Sequence, residues 1–208
     1  MMYDMPKRTD SKERMVAAAR RLFRQRGYLG TALSDVVTES AAPRGSIYFH
    51  FPGGKEELAG EVVLLHAGDH IAHINRAAAA TTTAGQLIEA FIGRIRAELI
   101  SSNYREGCAM APLVIESAPT SHQLSDATRR GFQDIIATLA ARLAEKNVPH
   151  ARATQLATSA VSSAEGALIL SRVLRSPEPF DLAIAQLAAT ADAEADASIS
   201  NTRKDTTS

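Results

Sequence analysis

Apolar residues recur at intervals of three and four along almost the whole chain, which is the spacing that places them on one face of an α-helix. Alternation of apolar and polar residues, which is typical of a β-strand, does not persist beyond a few positions. No internal repeat is visible along the sequence. The pattern therefore predicts an all-α fold.

Three helices are predicted in the first quarter of the chain. The first begins at N-capping residues near Asp10 and ends before Gly27, which suits the position just after a helix C-terminus. Two short helices follow, one at 34–40 with Ser34 as its N-cap and one at 44–51. A Pro-Gly-Gly sequence then breaks the chain, so we expect a first domain at 1–54.

A second, larger helical domain is expected at 55–191. Its apolar residues predict helices from Lys55 to about 80, around 87–99 and 124–143, from Pro149 to about 175, and around 180–187. The tail at 192–208 has Ile199 as its only large apolar residue. We expect this tail to be disordered, because it has too few apolar side chains to bury.

Composition excludes several classes of protein. With 45% hydrophobic and 22% charged residues, the 208-residue chain is not disordered as a whole. Cys108 is the only cysteine, which excludes an internal disulfide and a four-cysteine metal site. No apolar run approaches the length of a membrane-spanning helix, and the polar start lacks the core of a signal peptide. We therefore expect a cytoplasmic protein with no membrane partner.

The formal net charge of zero conceals an asymmetry along the chain. Residues 1–55 contain ten lysines and arginines but five acidic residues, whereas 56–208 contain thirteen and eighteen. A basic first quarter indicates that this end of the chain meets a polyanion. An imbalance of this size also fits a merely solvated surface, so the charge pattern needs support from a motif.

The two short helices have the form of a helix-turn-helix, and the second carries the side chains that DNA recognition requires. Ile47 and Phe51 lie four residues apart and are expected to face inward, and Gly45 allows the backbone to approach a phosphate or a base edge. Polar and cationic side chains lie off this stripe or bracket it: Arg44, Ser46, Tyr48, His50 and Lys55. The pattern predicts a recognition helix for the major groove, with a phosphate held at Lys55 and the start of the next helix.

From about Ser11 to Leu58 the sequence resembles the TetR family of bacterial transcriptional regulators. The resemblance is carried by Leu22-Phe23, Gly27-Tyr28, Thr31, 33–41, 43–51 and Lys55-Glu56-Glu57-Leu58. The Phe-Pro-Gly-Gly-Lys spacing is similar to that of the LmrA/YxaF-like branch, whose linker before the lysine is one residue longer than in the commoner form.

The resemblance implies a three-helix helix-turn-helix domain followed by a larger helical domain for ligand binding and dimerisation. It also implies a homodimeric repressor that a small-molecule inducer releases from a double-stranded DNA operator. We expect no cofactor, metal or catalytic site. The DNA contacts that it implies are Thr31, Arg44, Gly45, Ser46, Tyr48, His50 and Lys55. Three of these have alternatives: Tyr48 as core filler, His50 as an exposed residue at a helix end, and Thr31 as a cap or turn residue.

A dimer interface is expected because specific DNA binding by a helix-turn-helix usually pairs two half-sites through a two-fold axis. The candidate is a stripe of small and medium apolar residues on the last two long helices: Leu156, Ala160, Ala164, Leu168, Ile184 and Leu187. Two such helices from each subunit would form a four-helix bundle, as the resemblance also implies. The alternative is that the stripe packs inside its own chain.

The helices between about 55 and 147 are expected to enclose the inducer cavity. The candidate lining residues, each of which is alternatively ordinary core, are Phe91, Ile95, Cys108, Met110, Leu113, Phe132 and Ile136. His66, His70 and His73 share one face of a predicted helix, but no recognisable ligand set accompanies them, so we expect no metal.

Two other classes of function compete with a regulator. One is an enzyme that uses Cys108 or the histidines, although no Gly-rich phosphate loop or known catalytic motif supports it. The other is a helical protein-interaction module whose basic end is incidental, which predicts no salt-dependent affinity for DNA.

Overall fold

Helices make up all the regular secondary structure in the part of the chain that the computed structural model describes, residues 8–43, 45–117 and 120–205. Nine helices follow one another within these ranges: α1 (Arg8–Arg26), α2 (Leu33–Glu39), α3 (Ile47–His50), α4 (Gly54–Ala80), α5 (Ala84–Ser101), α6 (Ala111–Glu116), α7 (His122–Ala144), α8 (His150–Leu174) and α9 (Glu178–Asp205). The all-α prediction is confirmed. None of the described helices combines the length and the apolarity needed to cross a bilayer.

Local sequence explains where the first helices begin and end. Gly27 adopts a φ of 81° directly after α1, as its predicted position requires. The predicted N-cap of α2 is wrong, because Ala32 occupies that position and Ser34 lies inside the helix. The backbone N–H of Ala32 donates to the carboxylate of Asp35 at 3.3 Å, which is the contact that the third helical residue makes in a capping box, while Ala32 provides no side-chain cap.

Helix α3 is shorter than predicted and depends on its surroundings. It spans four residues, and the turn before it is closed by the backbone N–H of Ser46, which donates to the carbonyl oxygen of Pro43 at 3.0 Å. A helix of one turn has no stability of its own in water. Ile47 and Phe51 are both buried, as predicted, and their burial fixes α3 in place.

The helices group into two compact units. One contains the described residues of Met1–His66 together with Cys108–Gly131, and the other contains Ala67–Gly107 with the described residues of Phe132–Ser208. These units do not follow the predicted boundary between 54 and 55. The reason lies in contacts of the first unit, where Glu116 accepts a hydrogen bond from the backbone of Leu29, and the hydroxyl of Ser121 donates to Glu56.

The second unit is built around α5, α8 and α9, which pack against one another. Helix α9 continues to Asp205, so the expectation of a disordered tail from 192 is wrong over that length. Ala191 and Ala195 are buried on this helix, and the carboxylate of Asp192 accepts a hydrogen bond from the backbone N–H of Gly85 at 2.6 Å. Alanine packs closely and favours helix, which a count of large apolar residues overlooks.

We predict that Phe51→Ala destabilises the protein by about 3–5 kcal/mol, because it removes a fully buried aromatic side chain. The matched control is Phe49→Ala, since Phe49 is 61% exposed and its removal should change the free energy of unfolding by less than about 0.5 kcal/mol. Urea unfolding followed by circular dichroism measures both. Equal effects of the two substitutions would contradict the placement of α3.

We also predict that Asp192→Ala lowers the free energy of unfolding by about 2 kcal/mol. The substitution removes a charge-assisted hydrogen bond to an N–H of the first turn of α5 that has no partner within that helix. Asp196→Ala is the control, because Asp196 is exposed on the same helix. The same urea titration compares the two variants, and an Asp192→Ala variant as stable as the control would show that this contact does not anchor α9 to α5.

Candidate nucleic-acid interface

The recognition segment, residues 45–50, turns its polar side chains outward. Tyr48 is 66% exposed, which excludes the alternative that it fills the core. Gly45 is exposed beside it, and the partly exposed Ser46 donates its hydroxyl hydrogen to the carbonyl oxygen of Pro43 at 2.7 Å. His50 is half-buried, at the C-terminal end of α3. The segment therefore presents short polar groups and one aromatic hydroxyl on the face opposite its buried stripe.

Phe49 is an exposed aromatic that sequence reasoning did not select. It lies next to Tyr48, and its ring stands edge-on to that of His50 at a centroid distance of 5.2 Å. Its position off the buried stripe of Ile47 and Phe51 was the available signal. Together with Tyr48 it gives the recognition segment two adjacent exposed rings.

Thr31 does not share this surface. Its side chain is 1% exposed, and its hydroxyl donates to the carbonyl oxygen of Gly27 at 2.8 Å. These contacts favour the alternative of a turn residue between α1 and α2 over a DNA contact. Arg44, the cation expected at the start of the recognition helix, lies outside the described residues.

Lys55 lies at the start of α4, as predicted, but its ammonium group is engaged within the unit. The Nζ atom lies 4.2 Å from the centroid of the Tyr28 ring, which is a cation–π contact. Burial lowers the pKa of Lys55, and the carboxylate of Glu116 acts in the opposite direction. Lys55 is thus a partly buried cation beside the recognition segment.

One of the backbone N–H groups at the N-terminus of α4 already has a hydrogen-bond acceptor within the protein. The carboxylate of Glu57 accepts a hydrogen bond from the backbone N–H of Gly53 at 2.8 Å, and Glu56 is also in the first turn. Burial raises the pKa of Tyr28, and the negative charge of Glu56 raises it further. A phosphate at this position would therefore rely on the charge of Lys55 more than on free backbone N–H groups.

The α8 part of the predicted dimer stripe is buried within its own chain. Leu156, Ala160, Ala164 and Leu168 are buried within the single subunit, where α8 packs on α5 and α9, and Ile184 and Leu187 of α9 are partly exposed. For the four α8 residues this favours the alternative, because an apolar stripe does not reveal whether its partner is the same chain or a second copy. The place of Ile184 and Leu187 in a dimer interface stays a prediction. The large apolar side chains that are more than half exposed on these helices are Ile169, Leu170, Val173, Leu174 and Leu182.

The predicted cavity residues are divided between the two units. Met110, Leu113 and Cys108 are buried in the first unit. Phe91 is buried in the second unit, which also contains the partly exposed Ile95, Phe132 and Ile136. Within that unit, Ile136 lines a surface pocket of about 340 Å³ between α7 and α8. The assignment of an inducer site to these residues stays a prediction.

The three histidines on α4 have separate surroundings. The Nε2 atom of His66 lies 3.7 Å from the sulfur of Cys108, His70 stands edge-on to the ring of Phe91, and Nε2 of His73 is 3.0 Å from the carbonyl oxygen of Ala90. Among the described residues, no group of three or more His, Cys, Asp or Glu side chains could hold a metal ion.

Two family models match the chain. Residues 15–62 match the model of bacterial regulatory proteins of the tetR family, and 84–186 match the C-terminal domain of LmrA/YxaF-like transcriptional regulators. An uncharacterized HTH-type transcriptional regulator of Mycobacterium tuberculosis is 38% identical over 85% of this chain and 91% of its own length. The HTH-type transcriptional regulator LmrA of Bacillus subtilis is 31% identical over 82% of this chain and 91% of its own length.

Solved structures show the same fold. A TetR transcriptional regulator from Legionella pneumophila superposes with a TM-score of 0.78 at 22% identity, covering 90% of this chain and 98% of that one. A TetR transcriptional regulator from Chloroflexus aurantiacus gives a TM-score of 0.70 at 28% identity, over 89% and 96% of the two chains. The chain therefore belongs to the TetR family, in its LmrA/YxaF-like branch, and is a DNA-binding regulator of transcription and not an enzyme.

Proposed function

We propose that this regulator is a homodimeric repressor, which holds operator DNA through the recognition segment of each subunit and leaves it when a small molecule binds. The observation that most directly supports DNA binding by this segment is the orientation of α3. Its apolar residues Ile47 and Phe51 are buried, while Tyr48 on the opposite face is 66% exposed. A recognition helix needs both features, because the buried residues fix its direction and the exposed ones reach the DNA.

We assign base and phosphate contacts by the chemistry of each side chain. Gly45 and Ser46 begin the segment, and their small size lets the backbone approach the edges of bases in the major groove. Tyr48 and His50 donate hydrogen bonds suited to phosphate oxygens, and Lys55 supplies positive charge nearby. Arg44 remains in the proposed set on the sequence alone.

The proposed dimer uses the outward surface of α8 and α9, which we call the α8–α9 face. Its exposed residues recur at helical spacing on both helices: Gly166, Ile169, Leu170 and Val173 on α8, and Leu182, Ala185, Gln186 and Ala189 on α9. Large apolar side chains clustered on a surface usually mark a contact with another protein. A two-fold axis through this face would make a four-helix bundle, which is a self-complementary arrangement.

We propose repression because one relative is named a repressor. We propose release by a ligand because binding of a ligand and binding of DNA can be thermodynamically linked. A relative from Mycobacterium sp. strain GP1, 24% identical over 84% of this chain, is named the HTH-type transcriptional repressor DhaR. A ligand releases DNA only if it binds more tightly to the conformation that does not fit the operator. We keep Phe91, Ile95, Cys108, Met110, Leu113, Phe132 and Ile136 as candidates for its site.

We predict that Tyr48→Ala weakens operator binding roughly ten-fold, because it removes a hydrogen bond to a charged phosphate oxygen. Tyr48→Phe, which keeps the ring, should lose less. Ile115→Ala is the control, since Ile115 is a similarly exposed residue of the same unit that lies outside the recognition segment. Fluorescence anisotropy at low salt measures all three. Unchanged affinity of Tyr48→Ala would remove α3 from the DNA interface.

We predict that Ile169→Asp dissociates the dimer at micromolar concentration, because it would bury a carboxylate without a partner in the α8–α9 face. Ile115→Asp introduces the same charge at an exposed isoleucine of α6 and should leave the dimer intact. Analytical ultracentrifugation compares the two variants with the wild type. The proposed interface is wrong if Ile169→Asp sediments as the wild-type dimer does.

A further inference from the structure

Glu116, the last residue of α6, contacts the turn that joins α1 to α2, although 87 positions separate the two in sequence. Its Oε2 atom accepts a hydrogen bond from the backbone N–H of Leu29 at 2.6 Å. Both residues belong to the first compact unit. A short hydrogen bond from an N–H to a carboxylate is charge-assisted and therefore stronger than a neutral one.

The second carboxylate oxygen of Glu116 occupies space that Gly27 leaves open. A Cβ atom on Gly27 would lie 2.5 Å from Oε1 of Glu116, which is closer than any real contact. Gly27 also has a φ of 81°, a conformation that side chains disfavour. Glycine at this position thus serves two purposes, because it both ends α1 and admits the carboxylate against the turn.

The same carboxylate acts on the start of α4. Its negative charge opposes the lowering of the pKa of Lys55 that burial causes, and the ammonium group of Lys55 lies over the ring of Tyr28, within the same turn. Ser121 makes a second contact with the start of α4, because its hydroxyl donates a hydrogen bond to Glu56 in the first turn of that helix. The turn after α1 is therefore held by Glu116, and the start of α4 is held by Ser121.

We propose that Glu116 is a positioning residue for operator binding. It fixes the α1–α2 turn relative to the first turn of α4, and these two segments flank the stretch of chain that carries α2 and the recognition segment. The inference rests on the proposed function, because it assumes that the recognition segment binds DNA. It deepens that function by naming a residue that touches no DNA and still helps to place the stretch of chain that carries Tyr48 and His50.

The surroundings of Leu29 indicate that loss of Glu116 would change the position of the α1–α2 turn more than the stability of the whole fold. The Leu29 side chain is 70% exposed, so Leu29 itself adds little apolar burial. The rest of the turn is held by the buried Thr31 and by the edge-on packing of Tyr28 against Phe23. Water can satisfy the Leu29 N–H when the carboxylate is removed, since that hydrogen bond is itself exposed. Loss of Glu116 should therefore loosen the turn locally and leave the fold intact, as expected for a segment of low local stability.

The test compares Glu116→Ala and Glu116→Gln with the wild type. A duplex enriched by the wild-type chain from a random-sequence library serves as the specific probe, and a scrambled duplex of equal length serves as the non-specific one. We expect the ratio of specific to non-specific affinity to fall roughly ten-fold in Glu116→Ala. Glu116→Gln should lose less, because its amide oxygen still accepts from Leu29.

The matched control is Glu13→Gln, which removes one negative charge from an exposed position on α1. It should leave the affinity ratio unchanged, because charge acts on both duplexes alike. Hydrogen exchange gives a second readout, in which the peptide that spans Leu29 should exchange faster in Glu116→Ala and not in Glu13→Gln. Thermal unfolding of all variants should stay close to that of the wild type.

The outcomes separate this inference from the function on which it rests. A wild type that enriches no duplex overturns both. A wild type with a preferred duplex and a Glu116→Ala variant with the same affinity ratio overturns the positioning role alone. Equal loss of affinity for both duplexes, together with a lowered melting temperature, shows a purely structural role and likewise overturns it.

Discussion

The burial of two side chains, Ile47 and Phe51, holds the recognition segment in place, and the surface that we propose to contact DNA depends on it. A helix of four residues cannot form by its own propensity, so its direction is set by what lies beneath it. With these two residues fixed in the core, Tyr48 and Phe49 must face outward. The packing of α3 against the core thus determines which side chains the proposed DNA surface presents.

Ion pairs brace the first unit around this core. Arg21 pairs with Glu39 at 2.7 Å and joins α1 to α2, and Lys12 pairs with Glu61 at 2.6 Å and joins α1 to α4. Each is partly exposed and by itself contributes little to stability. Their arrangement places Glu39 of α2 and Glu61 of α4 each against a cation of α1, which compensates these two negative charges.

Features that depend on neighbours along the chain were predictable from the sequence. The all-α fold, the glycine that ends α1, the inward direction of Ile47 and Phe51 and the family resemblance all follow from local patterns. The predicted N-cap of α2 is wrong, because Ala32, which has no capping side chain, occupies that position and Ser34 lies inside the helix. For Arg44 only the sequence supports a role in DNA binding, because this residue lies outside the described part of the structure.

Features that depend on distant partners were not predictable. A stripe such as Leu156 and Ala160 looks the same whether it packs on its own chain or on a second copy, and here it is buried in its own. Asp192 finds its partner in Gly85, 107 positions away, and this contact anchors a segment whose composition predicted disorder.

The most direct test of the proposed function is binding of the wild-type protein, refolded to remove any bound ligand, to DNA flanking its own gene across a salt series. The account predicts a two-fold-symmetric footprint and a slope of log K against log salt of about −5, for roughly six neutralised phosphates, whereas no binding even at low salt would contradict it.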